Sequence, residues 1–153
     1  VKGLENKIPP PAVALLVATA MWGLAEATPN MPVDNTTRLA LVALCYLLGA
    51  GFSLGGVMSF RRAKTTVNPL KPESASALVD TGIYRYTRNP MYVGFALFLL
   101  AWAVFLSSLW ALLGLPLFIA YIQRFQIRPE ERALEQIFGS EFLDYKRRVR
   151  RWL

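Results

Sequence analysis

From Thr81 to Gly94 the chain reads Thr-Gly-Ile-Tyr-Arg-Tyr-Thr-Arg-Asn-Pro-Met-Tyr-Val-Gly, a polar, basic and aromatic stretch that runs straight into an uncharged apolar segment. Asn89 is a natural N-cap residue and Pro90 suits the first helical position. A helix N-terminus there, with free backbone N–H groups and cationic side chains around it, can hold an anionic group of a ligand. Gly82 and Gly94 let another backbone or a ligand come close. A second polar element, Pro129-Glu130-Glu131-Arg132, ends a later apolar run. Its carboxylates can accept hydrogen bonds from a ribose or balance an ammonium or sulfonium. Each element also has a plainer reading. The first is a capped transmembrane helix with snorkelling arginines and interfacial tyrosines. The second is a pair of acids in the first turn of a helix that starts at Pro129.

The elements that must position these residues are long apolar runs. The chain has 153 residues, 54% of them hydrophobic, and a mean hydropathy of +0.35, which is too apolar for an ordinary soluble domain. A bilayer core needs about 20 apolar residues per helix. Four runs qualify as spans, at 11–27, 39–60, 90–106 and 109–125, with Pro116 expected to kink the last. The last two are joined only through Ser107 and Ser108 and form a helical hairpin. The expected fold is therefore an all-α integral membrane protein of about four transmembrane helices, with a cytoplasmic loop and an interfacial C-terminal helix, in one domain over 1–153.

Of the 17 Lys and Arg residues, only Arg38 falls on the far side of these spans. The positive-inside rule then places both termini in the cytoplasm, and four spans give the same parity. The net charge of +7 sits beside apolar runs, which points to a membrane and not to nucleic acid. There is no histidine, so a His-based zinc site, a His general base and a catalytic triad are excluded, and no metal is expected. Cys45 lies in an apolar run and reads as a small buried residue. The N-terminal stretch shows no cleavable signal-peptide pattern.

The segment 61–89 is long for a loop. Beyond Glu130, Leu134, Ile137, Phe138 and Phe142 recur at helical spacing; Gly139 is expected to end one turn and Ser140 to cap the next. The tail finishes in the basic run Lys146 to Arg151. Glycines 49, 51, 55 and 56 give the second span a small-residue face for helix packing. Trp22, Trp102, Trp110 and Trp152 read as interface anchors. Glu26 and Asp34 read as solvated residues at the far interface.

The order Leu78-Val79-Asp80-Thr81-Gly82-Ile83-Tyr84, Arg88-Asn89-Pro90-Met91-Tyr92-Val93-Gly94, Glu130-Glu131 and Phe138-Gly139-Ser140-Glu141-Phe142-Leu143-Asp144-Tyr145 resembles the isoprenylcysteine carboxyl methyltransferase and phospholipid methyltransferase superfamily. The likeness covers about half of the chain, 65–149. It implies a small bacterial or archaeal inner-membrane enzyme that uses S-adenosylmethionine, releases S-adenosylhomocysteine and methylates a lipophilic acceptor, an isoprenylcysteine-like carboxylate among the candidates. It implies that Leu78, Val79, Tyr84, Arg88, Asn89, Pro90, Tyr92, Gly94 and Glu130 bind the cofactor. It places Gln126, Arg128 and Glu131 at the reaction. Two departures stand out. Asn89 replaces a common His, and Gln126 replaces a common Arg. An NADPH-dependent reductase of the sterol type and a non-catalytic lipid-binding scaffold are the rival readings.

Overall fold

The computed structural model describes residues 5–63 and 76–153, and these form helices and turns with no strand. The loop expected over 61–89 has its centre outside the described residues, as does the start of the stretch 65–149 that carries the resemblance and is expected to bind the cofactor. Four helices occupy the four apolar runs: α1 (Pro10–Glu26), α2 (Asn35–Arg62), α3 (Pro90–Phe105) and α4 (Trp110–Phe138). A short helix, α5 (Ser140–Arg148), follows. By length and composition α2 and α4 are able to cross a membrane; α1, with 17 residues, and α3, with 16, are apolar but shorter. At 1.5 Å per residue each of the short pair reaches only about 25 Å.

Local chemistry explains the boundaries. Pro9 and Pro10 start α1. Asp34, expected to be merely solvated, caps α2: its carboxylate accepts the Thr37 N–H at 2.9 Å. That bond holds the Asp34 carboxyl below its ordinary range. Ser107, with φ of 50°, turns the chain between α3 and α4. Its carbonyl accepts the Met31 N–H at 2.7 Å, which ties the hairpin to the α1–α2 connection.

The fourth helix departs most from expectation. Pro129 does not start a helix. The chain stays helical from Trp110 through Phe138, opening as a 3₁₀ turn (Trp110–Leu113) and widening to a π turn (Gln123–Ile127) just before Pro129. Proline has no N–H to give to the carbonyl one turn back, and a π turn accommodates that loss. The Phe125 carbonyl, left without its helical partner, accepts the Asn6 N–H at 3.0 Å instead. Glu130 and Glu131 therefore lie inside a helix, not at its beginning. The irregularity expected at Pro116 is confined to the 3₁₀ turn preceding it.

Helix packing uses the glycines. A Cβ added at Gly49 would sit 2.9 Å from the Phe98 ring, one at Gly56 would sit 2.9 Å from Met91, and one at Gly94 would overlap Ser53 Oγ and approach the Gly49 carbonyl to 2.8 Å. So Gly49, Ser53 and Gly56 of α2 receive α3 at close range, whereas Gly51 points to open space. Gly94→Ala is expected to lower stability by about 1–3 kcal/mol through overpacking. Thermal unfolding in detergent checks this, and adding Ser53→Ala is expected to recover only part, because the Gly49 carbonyl remains.

The main core joins Val13, Val17 and Met21 of α1 to Leu99 and Ala103 of α3 and Phe118, Ile122 and Ile127 of α4. Trp102 is not an interface anchor: its indole N–H donates to the Ala18 carbonyl at 3.0 Å and joins α3 to α1. A smaller core docks α5, with Phe142 and Tyr145 buried against Val79, Tyr84 and Val149. Leu134 and Phe138 join it, but Ile137 is exposed. Gly139, with φ of 51°, separates α4 from α5; Ser140 opens α5 without a capping bond from its side chain.

Candidate functional site

The site lies where the start of α3, the second half of α4 and the segment after α5 meet. The turn before α3 is held by a 3₁₀ turn (Gly82–Arg85) whose Tyr84 is buried against Phe60, ring to ring at 5.4 Å. Tyr145 donates its hydroxyl to the Tyr84 carbonyl at 2.8 Å. Burial pushes both phenols well above their ordinary pKa, so both stay protonated.

Asn89 occupies the N-cap position of α3, but its side chain makes no cap. Its amide donates to the Arg151 carbonyl at 2.8 Å. Thr87, fully buried, works on both sides: its hydroxyl oxygen accepts the Asn89 N–H at 3.1 Å, and the hydroxyl donates to the Arg151 carbonyl at 3.3 Å. The Arg88 N–H donates to the Arg150 carbonyl at 2.9 Å. The segment after α5 thus lies across the turn as a strap, its carbonyls held by the Arg88 N–H and by the side chains of Thr87 and Asn89.

The two adjacent carboxylates have different surroundings. Glu131 is enclosed by guanidinium groups. Arg88 donates to its Oε1 at 2.8 Å, and Arg151 clasps it with bonds of 3.0 and 2.6 Å. Arg88 also donates to the carbonyls of Lys146 and Val149. The bonds that Arg151 donates to Glu131 push the Arg151 pKa above its ordinary value, so the clasp keeps its charge. Glu130 has one partner, the Tyr92 hydroxyl, which donates to it at 2.5 Å. Its other oxygen has no hydrogen bond among the described residues.

The structure therefore brings Arg88, Asn89, Tyr92, Glu130 and Glu131 together, with Pro90 buried beneath them. It places other expected site residues elsewhere. Gly94 faces Ser53 and Gly49 of α2 and is used for helix packing. Val79 belongs to the closed core under α5, with Leu78 at its edge. Gln126 is fully buried and donates to the Ile8 carbonyl at 2.7 Å, so it pins the start of α1. Arg128 is exposed and makes no ion pair among the described residues. Arg124 and Arg132 both pair with Glu5, at 3.3 and 2.5 Å. Among the described residues no group of His, Cys, Asp and Glu is placed to hold a metal ion.

Arg151, Thr87 and Trp152 escape a reading of the sequence. Arg151 sits in a basic run that reads as a solvated tail. Trp152, expected as an interface anchor, donates its indole N–H to Gln123 at 3.2 Å and packs on the main core. No local signal pointed to Arg151, because Arg128, three residues before Glu131 and at helical spacing, reads as its partner.

The described residues form a helical bundle with two helices long and apolar enough to cross a membrane and a polar, charged cluster gathered at one end. The chain belongs to the phospholipid methyltransferase family, which it matches over residues 37–141. It is 49% identical over 63 residues to an uncharacterized protein of Haemophilus influenzae, covering 41% of this chain and 100% of that protein. It is 35% identical over 82 residues to protein-S-isoprenylcysteine O-methyltransferase of Saccharomyces cerevisiae, covering 52% of this chain and 33% of the yeast protein. The matched segment thus spans a third of the yeast enzyme's length. No solved structure matches the chain.

Proposed function

We propose that this chain is an S-adenosylmethionine-dependent methyltransferase that methylates a lipophilic acceptor at the cytoplasmic face of the membrane. The observation that carries this reading is the Tyr92–Glu130 pair, set beside the Arg88–Glu131–Arg151 cluster in a chain of the phospholipid methyltransferase family. The donor set fits the cofactor. Glu130 keeps an unused carboxylate oxygen for a hydroxyl or ammonium group. The Arg88 Nε–H is buried and without a partner, a donor suited to a carboxylate. A ligand carrying both kinds of group at one end satisfies both.

The cofactor, when bound, supplies the electrophilic methyl group. The chain supplies binding, alignment and exclusion of water. Glu130 orients the polar end, and the Tyr92 hydroxyl fixes the carboxylate. Glu131 accepts hydrogen bonds from two guanidinium groups and so keeps the turn before α3 against α4. With no histidine in the chain, a carboxylate or another already nucleophilic acceptor suits the site best.

The arrangement of the two ends supports an even number of crossings. Glu5, Arg88, Glu131 and Arg151 gather at one end of the bundle; Thr28, Arg38, Ser107 and Ser108 meet at the other. Four crossings with both termini cytoplasmic follow if α1 and α3 traverse a locally thinned bilayer. Calorimetric titration of the detergent-solubilised protein with S-adenosylhomocysteine tests the reading. Saturable one-site binding is expected; absence of binding to folded protein, with NADPH binding in its place, overturns it.

A further inference from the structure

Among the described residues, the end of the bundle opposite the charged cluster carries one cation, Arg38, in the first turn of α2. Its guanidinium is only partly committed. One terminal nitrogen donates to Asn35 at 2.8 Å, and the other makes a long bond of 3.4 Å to Ser107 Oγ. Its Nε–H is buried and has no partner. Among the described residues Arg38 forms no ion pair. Asp34, four residues earlier, is committed to the Thr37 N–H, and Glu26 lies exposed at the end of α1.

Directly below Arg38, a groove of about 230 Å³ opens between α2 and α3, lined by Val42, Phe98, Ala101, Trp102 and Phe105. Val42 stands one helical turn from Arg38, and the Arg38 guanidinium lies 5.9 Å from the centre of the Phe105 ring. Phe105 and Trp102 stack at 5.5 Å and 13°, which gives the groove a flat aromatic wall. The lining side chains are apolar or aromatic, and the Arg38 cation stands over one of them, Phe105.

We infer that this groove is a binding site for an anionic phospholipid, with its phosphate at Arg38 and one acyl chain between α2 and α3. The pairing of charge with shape decides for a lipid. An apolar slot between two helices suits a hydrocarbon chain, and a guanidinium without an ion pair among the described residues favours a phosphate. A zwitterionic headgroup cancels part of that attraction, so the site discriminates by net charge. The site lies at the end of the bundle away from Glu130 and does not depend on the proposed reaction.

The test uses the full chain in detergent, titrated with phosphatidylglycerol or phosphatidylcholine and read by native mass spectrometry and thermal unfolding. Phosphatidylglycerol is expected to be retained and to raise the unfolding temperature, phosphatidylcholine much less. Arg38→Gln is expected to weaken retention about tenfold, the effect of losing one charge-assisted hydrogen bond. Because Arg38 also touches Ser107, Val42→Trp serves as the second variant; it fills the groove, leaves the cation in place and is expected to abolish retention. Arg62→Gln, at the other end of α2, is expected to behave as wild type. Equal retention of the two lipids, or unchanged retention in both groove variants, overturns the inference. So does a Val42→Trp variant that changes only the oligomeric state, which would assign the groove to a second copy of the chain.

Discussion

Glu130→Gln is expected to lower the affinity for S-adenosylhomocysteine by about a hundredfold, the largest effect on binding of any single substitution at the site. The carboxylate gives one oxygen to the Tyr92 hydroxyl at 2.5 Å and leaves the other open to a ligand. Glutamine keeps the shape, but its NH₂ group is a donor where an acceptor is needed. A hydrogen bond to a charged group contributes about 1.5–3 kcal/mol, so losing the ligand contact at the open oxygen and setting a donor in its place corresponds to about two decades of affinity. Tyr92→Phe is expected to cost about tenfold, because it removes the donor that fixes the carboxylate but not the carboxylate itself. Calorimetry on both variants, with circular dichroism to confirm folding, measures the difference. Wild-type affinity in Glu130→Gln would remove Glu130 from the ligand site.

Glu131, its neighbour, is expected to behave oppositely, as a determinant of stability. Its side chain is 12% exposed and that of Arg88 10%, so removing Glu131 leaves two guanidinium groups facing each other with little solvent. Breaking a buried pair in this way costs about 3–5 kcal/mol. That is a large share of the roughly 5–15 kcal/mol that holds a domain folded. Glu131→Ala is therefore expected to give protein that unfolds far earlier or aggregates on extraction. Arg151→Ala is expected to cost less, about 1–2 kcal/mol, because Arg151 is 31% exposed and Arg88 still balances Glu131. The two substitutions share a contact, so the double variant should fall well short of the sum. Thermal unfolding of the four proteins in detergent checks both the order and the non-additivity. A Glu131→Ala protein within about 0.5 kcal/mol of wild type would show the cluster to be dispensable.

The two predictions separate adjacent residues that a sequence cannot tell apart. Glu130 and Glu131 are the same residue type, one position apart, and only their surroundings leave one with an open carboxylate oxygen and enclose the other in guanidinium groups. A helical step of about 100° turns them to different neighbours: one toward Tyr92 on α3, the other toward Arg88 and the strap after α5. The same geometry explains Gln126 and Gly94. Their spacing from the motif residues matched a site, but the faces they occupy meet Ile8 and α2.

What the sequence determined by itself was everything that depends on local or one-dimensional physics. Apolar runs of membrane length, the asymmetry of basic residues, Pro90 at the first turn of α3 and the order of the polar elements are properties of composition and spacing. So were the helical fold and the family to which the chain belongs. Tertiary structure decided what depends on who meets whom. It kept α4 helical through Pro129 because Asn6 takes the orphaned Phe125 carbonyl, 119 residues away. It drew Arg151 out of an ostensibly solvated basic run, because a buried carboxylate requires cations that its own helix does not provide. And it turned Asn89 from capping its helix to holding the Arg151 carbonyl. Each of these is a long-range contact in which a buried polar group finds its partner, and no local pattern carries that information.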